Sequence, residues 1–234
     1  MKHLVLFDID GTILWSDGAG RRAMEGALSH VFGSAGDPRY RYDGKTDRQI
    51  ARELMRAEGH DDGAIDARLD AVLDGYLRRL ERELASGERH VQLLAGIPEL
   101  LDALEERDDV VLGLLTGNVA SGAAIKLAAA GIDVARFRVN AFGSDEEDRP
   151  RLPLVAQRRA REALGRDYDG TDIVVIGDTP ADVHCARSVG ARTIAVATGR
   201  YSVPELLEHA PSIALQDLSD TQAVVEWIVG GPAE

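Results

Sequence analysis

The sequence predicts an α/β fold: a doubly wound parallel sheet covered by helices, with an inserted α-helical domain. Two observations predict it. Short apolar runs alternate with helical patterns along most of the chain, and one long stretch after the first run has helical periodicity and no convincing strand. Length agrees, because 234 residues exceed the usual single domain and suit a core with an insertion.

The first apolar run, 3–7, is closed by Asp8 and by the Asp10-Gly11 turn signal, the pattern of a buried strand that ends in a loop. Runs at 110–115, 136–141, 173–176 and 193–196 resemble it, and a weaker one lies at 212–215. Helical patterns at 97–106, 120–130, 152–164, 181–189 and 204–209 separate these runs, and 221–229 closes the chain. In a sheet so built, ligands bind beyond the carboxyl ends of the strands.

Between Trp15 and about Leu94 the rhythm changes, and candidate helices fall at 19–32, 47–58 and 62–84. Residues 1–15 and 95–234 are therefore assigned to the core and 16–94 to the insertion, with Asp17-Gly18 and Ala95-Gly96 as the expected hinges.

Composition excludes several classes of function. With 44% hydrophobic and 29% charged residues the chain is globular rather than disordered or fibrous. A formal net charge of −13 repels phosphate backbones and anionic membrane surfaces, so neither nucleic acid nor a membrane is an expected partner. The lone Cys185 rules out an intramolecular disulfide, no signal-like segment precedes the first strand, and a cytoplasmic location is expected. Cys185 itself reads as a small core residue.

The chemistry concentrates where strands end. Phe7-Asp8-Ile9-Asp10-Gly11-Thr12 places two carboxylates two residues apart, and buried neighbouring carboxylates persist when a cation sits between them. Leu115-Thr116-Gly117-Asn118 closes the second long run just before a helix, where a hydroxyl and backbone donors can grip phosphate oxygens. Ile176-Gly177-Asp178-Thr179-Pro180-Ala181-Asp182 closes another, with two carboxylates around a turn that opens into a helix.

Asp-Ile-Asp-Gly-Thr after an apolar strand resembles the first motif of the haloacid dehalogenase superfamily, and the other two segments resemble its second and last motifs in the right order. The resemblance covers essentially the whole chain and is closest to the phosphoglycolate phosphatase-like branch. It implies a Rossmann-like core with a helical cap, and a Mg2+-dependent phosphatase that hydrolyses a small phosphorylated metabolite through an aspartyl-phosphate. By that resemblance Asp8 is the nucleophile. Asp10 protonates the leaving alkoxide and then deprotonates water, for which its pKa must lie above about 3.9. Asp8, the backbone carbonyl of Asp10, and Asp178 would bind Mg2+, with Asp182 orienting a water.

The family's third motif supplies a cation, usually lysine, between the second and last motifs. The lysines here are Lys2, Lys45 and Lys126, and Lys126 comes too soon after Thr116, inside the helix expected at 120–130. An arginine must substitute; Arg149-Pro150 matches best and Arg151 is the alternative. Mg2+ and Arg149 together supply +3, which balances a phosphate monoester of about −2 and one carboxylate. Lys45, in Asp43-Gly44-Lys45-Thr46-Asp47, is a candidate substrate contact from the insertion, although a helix-leading turn also explains the segment. Gly18-Ala19-Gly20-Arg21-Arg22 reads as a hinge with a basic helix face.

Four other readings compete. Alkyl halide displacement would not need Asp10, and phosphonate hydrolysis would need Lys45 as a Schiff-base lysine. A sugar phosphomutase shares the same catalytic pair. A catalytically silent metabolite-binding module would keep the fold without the turnover.

Overall fold

The computed structural model describes residues 3–85 and 91–230; Lys2 lies outside them. Six strands form one parallel sheet: β1 (His3–Phe7), β4 (Val110–Thr116), β5 (Val139–Phe142), β6 (Ile173–Gly177), β7 (Arg192–Val196) and β8 (Ile213–Leu215). Their spatial order, β5-β4-β1-β6-β7-β8, reverses direction at β1. That reversal makes the carboxyl ends of β1, β4 and β6 the crevice in which such sheets bind ligands.

The strands read as unbroken apolar runs because both faces of the sheet are covered. Val5, Phe7, Leu112, Leu114, Val174 and Ile176 pack on one side against α4 (Ile97–Glu105), α5 (Ala120–Ala129) and α9 (Thr221–Gly230). Leu4, Leu6, Val111, Leu115, Ile173 and Val175 face the other side, against α6 (Leu152–Leu164) and α7 (Pro180–Ala186). The alternation is the period of two that a strand imposes. A short α8 (Val203–Leu207) covers β7 and β8 near the sheet's edge.

Three helices, α1 (Ala19–Phe32), α2 (Asp47–Ala57) and α3 (Asp62–Ala85), form a separate apolar cluster around Met24, Leu28, Leu54, Met55, Val72 and Tyr76. This cluster is the helical cap inserted into the sheet domain. Two two-residue strands, β2 (Leu14–Trp15) and β3 (Gln92–Leu93), pair antiparallel where the chain leaves the sheet domain and where it returns.

Most expected elements lie within two residues of their places. The strand expected at 136–141 begins later, at Val139, because 134–136 forms a 3-10 turn capped by the Asp133 side chain, which accepts the Ala135 N–H. The β2–β3 pair was not expected, being too short to carry a periodic signal.

Candidate active site

β1 delivers Asp8 to the crevice, and the Asp8 N–H donates to Ile176 O at 2.9 Å, tying it to the end of β6. The chain then turns tightly, with the N–H groups of Ile13 and Leu14 both donating to Ile9 O. Asp8 and Asp10 therefore open into one cavity of about 580 Å³, between the carboxyl ends of the strands and the cap helices. Asp178, Thr116, Asn118, Arg149 and Lys126 also line it.

Asp8 is buried, and burial, the largest influence, pushes its carboxyl up to about 6. Arg149 opposes that shift from 3.2 Å, while Asp182 and Asp10 add to it. Asp178 is likewise driven well above the usual carboxylate range by burial, then by Asp182 and Asp8. Oxygens of Asp8, Asp178 and Asp182 lie within 4.8 Å of one another. Three buried carboxylates against the single guanidinium of Arg149 leave a deficit of two positive charges, which one divalent cation would fill.

The backbone around Asp178 leaves no room for side chains. A Cβ built on Gly11 would fall 2.4 Å from Asp178 Oδ2, and one on Gly199 would fall 1.7 Å from it. Gly11 also holds φ +84, a conformation that favours glycine. The residues present thus fit a metal ion at Asp8 and Asp178.

Asp182 has other commitments. Its Oδ1 is bound by Arg149, and its Oδ2 accepts from Thr179 N at 3.0 Å and Thr179 Oγ1 at 2.7 Å. It anchors Arg149 and the start of α7, rather than facing open space where it could orient a water. Of the two candidate arginines, Arg149 is buried against Asp8 and Asp182, whereas Arg151 is 65% exposed and lies 3.7 Å from Glu146.

Asp10 occupies a different environment. Its side chain is 37% exposed, and its Oδ2 accepts from Asn118 Nδ2 at 2.8 Å and from Lys126 Nζ at 2.6 Å. Asn118 Nδ2 also reaches Thr116 Oγ1 at 2.8 Å. Gly117 lets the cap approach: a Cβ there would meet Lys45 O at 2.1 Å.

Lys45 reaches the cavity, but its ammonium is bound to Glu53 and to Tyr40 Oη at 2.7 Å. Arg21 lines the cavity too, and donates to Glu25, Pro38 O and Tyr40 O. Cys185 is buried, and burial pushes its thiol up to about 12, so it is no nucleophile at neutral pH.

Sequence reasoning missed two residues. Lys126, passed over because of its helix, points from the buried face of α5 into the site. Its signal was a lysine in register with Val119, Gly122 and Ala123 on an otherwise apolar stripe. Asp47, in the cap, accepts Val119 N–H at 2.9 Å, and its own N–H donates to Gly117 O at 2.9 Å. Burial pushes Asp47 up to about 6, with Lys126 opposing.

No helix among the described residues is long and apolar enough to cross a membrane. The model of the haloacid dehalogenase-like hydrolases matches residues 5–187. A phosphoglycolate phosphatase from Synechococcus elongatus is 27% identical over 227 residues, covering 95% of this chain and 97% of that one. Among solved structures, a hydrolase from Pseudomonas syringae superposes with a TM-score of 0.72 at 22% identity, over 97% of this chain and 98% of its own. CbbY from Rhodobacter sphaeroides, in complex with phosphate, superposes with a TM-score of 0.72 at 18% identity, over 94% and 96%. With the match to the family model spanning the strand ends that carry Asp8, Thr116 and Asp178, the chain belongs to the haloacid dehalogenase-like hydrolases.

Proposed function

We propose that the chain is a Mg2+-dependent phosphatase that hydrolyses a small phosphomonoester through an aspartyl-phosphate on Asp8. The observation that carries this reading is the contrast between two carboxylates of one turn. Asp8 is buried beside Arg149 in a cation-deficient cluster, and Asp10 is half-exposed and held by Asn118 and Lys126. Carboxylates in such different environments are suited to different roles, one as nucleophile and one as acid and base.

In the first half-reaction an Asp8 oxygen bonds to phosphorus as the ester P–O bond breaks, and Asp10 gives its proton to the departing oxygen. In the second, water attacks phosphorus, Asp10 takes the water's proton, and the Asp8 carboxylate is regenerated. Arg149 holds Asp8 in place and offers donors to the phosphoryl oxygens, while Thr116 offers its hydroxyl and Gly117 and Asn118 their backbone N–H groups at the start of α5. Mg2+ at Asp8, the Asp10 carbonyl and Asp178 would supply the positive charge the carboxylates lack. Asp182 keeps Arg149 in register.

The cap, residues 16–94 in this reading, closes over the mouth and selects the leaving group, with Lys45 among its cations. The phosphoglycolate phosphatase relative supports a small phosphorylated acid as substrate. Lys45, ion-paired with Glu53, is poorly placed to act as a Schiff-base lysine, which disfavours phosphonate hydrolysis. A phosphate-release screen over small phosphomonoesters with Mg2+ tests the proposal: release from at least one is expected, and binding of phosphorylated ligands without release would leave a silent binding module instead.

A further inference from the structure

Lys126 has no part in the reaction as described so far, yet it is among the most enclosed charges in the cavity. It is 4% exposed. A Cβ on Gly20 of α1 would lie 3.2 Å from its Nζ, so the cap roofs it over. Its Nζ donates to Asp10 Oδ2 at 2.6 Å and to Asn118 Oδ1 at 2.7 Å.

These contacts fix more than one group. An ammonium can only donate, so the atom of Asn118 that faces Lys126 must be the amide oxygen. The Asn118 NH2 is thereby turned toward Asp10 and Thr116, at 2.8 Å from each. Both donors to Asp10, Lys126 and Asn118, then fall on the same oxygen, Oδ2, and no donor among the described residues reaches Oδ1. Oδ1 of Asp10, on a partly exposed side chain that lines the cavity, is thereby left for the substrate.

A buried ion pair is weak evidence for stability but can fix a conformation. We propose that Lys126 is a positioning residue: directly and through Asn118 it fixes the Asp10 carboxyl so that Oδ1 meets the oxygen of the departing group. This rests on the phosphatase reading. A side chain that acts through the proton donor must matter most when the leaving group needs a proton, whereas a purely architectural lysine would matter equally for all substrates.

The test compares kcat/KM, which reports only the steps through loss of the leaving group, for an alkyl phosphate and for p-nitrophenyl phosphate, whose anion departs without a proton. Lys126→Met is expected to lower kcat/KM on the alkyl ester by about 100-fold, within the usual range for proton transfer, and at least about tenfold more than on the aryl ester. In an Asp10→Asn background the same substitution should add less than about threefold on the alkyl ester. Should Lys126→Met fail to fold, Lys126→Gln carries the same two-substrate comparison. Equal losses on both esters, or full multiplicative losses in the Asp10→Asn background, would overturn the role of Lys126 alone. Wild-type protein that turned over neither ester would overturn the phosphatase reading, and this inference with it.

Discussion

At the scale of single residues, the site is governed by what one carboxylate demands of its neighbours. Asp178 sits where neither Gly11 nor Gly199 can bear a Cβ. Gly199→Ala is therefore expected to displace the carboxylate and weaken Mg2+ binding by tenfold or more, read by calorimetric titration; an unchanged affinity would remove Asp178 from the metal site. Asp8 yields a complementary expectation. Because Asp8, Asp178 and Asp182 crowd together against one arginine, Mg2+ should raise the melting temperature of the wild type by relieving their repulsion. Asp8→Asn should melt no lower than wild type without Mg2+, gain little from adding it, and turn over no substrate.

Asp8, Asp10 and Asp178 were legible in the sequence because each lies in a short motif at a strand end, where local order alone places it in the crevice. Lys126 and Asp47 were not. Lys126 enters the site through the rotation of α5, whose trace in the sequence is only the stripe it shares with Val119, Gly122 and Ala123, and Asp47 through the docking of the cap, which leaves no local pattern.

At the scale of elements, the start of α2 is a polar contact between cap and core, beside the packing of α1 and α3 on α5. Thr46 Oγ1 donates to Glu147 O at 2.8 Å, and Asp47 exchanges hydrogen bonds with Gly117 and Val119, so one cap segment holds both the Thr116 loop and the loop leading to Arg149. Asp47 gives this contact a pH dependence. Its folded value, about 6, lies above the ordinary 3.8, so the folded protein keeps a proton that the unfolded chain releases. The resulting stabilisation is complete below about pH 4 and is lost as pH rises through 6, by at most about 3 kcal/mol. Asp47→Asn, which keeps an acceptor for Val119 N–H, should flatten that part of the profile in melting experiments across pH 4–7. A profile identical to wild type would show that Asp47 titrates normally.

Strand and helix positions were readable at this scale because covered strands and amphipathic helices write their periods into the sequence. The 3-10 turn at 134–136 and the β2–β3 pair were not, since three or two residues complete no period.

At the scale of the whole molecule, a chain with net charge −13 lines one cavity with seven cations, Arg39 and Arg41 beside Arg21, Lys45, Lys126, Arg149 and Arg200, against five aspartates. The cavity of an acidic protein thus carries a local excess of cationic side chains, under a cap joined to the sheet domain through the β2–β3 pair. Arg52 of α2 ion-pairs at 2.6 Å with Glu147, in the loop leading to Arg149, and so reinforces the cap–core junction made by the start of α2. Weakening the junction should loosen closure, so Arg52→Ala is expected to raise KM several-fold and lower kcat together, and unaltered steady-state kinetics would argue that closure does not depend on it.

The catalytic expectations rest on Asp8 becoming phosphorylated. Rapid acid quench during turnover of a good substrate, followed by peptide mass mapping, tests this directly: the peptide containing Asp8 should gain the mass of one phosphoryl group, and the same peptide from Asp8→Asn should gain none. Turnover with no such gain at Asp8, or with the phosphoryl group on another residue, would contradict the account.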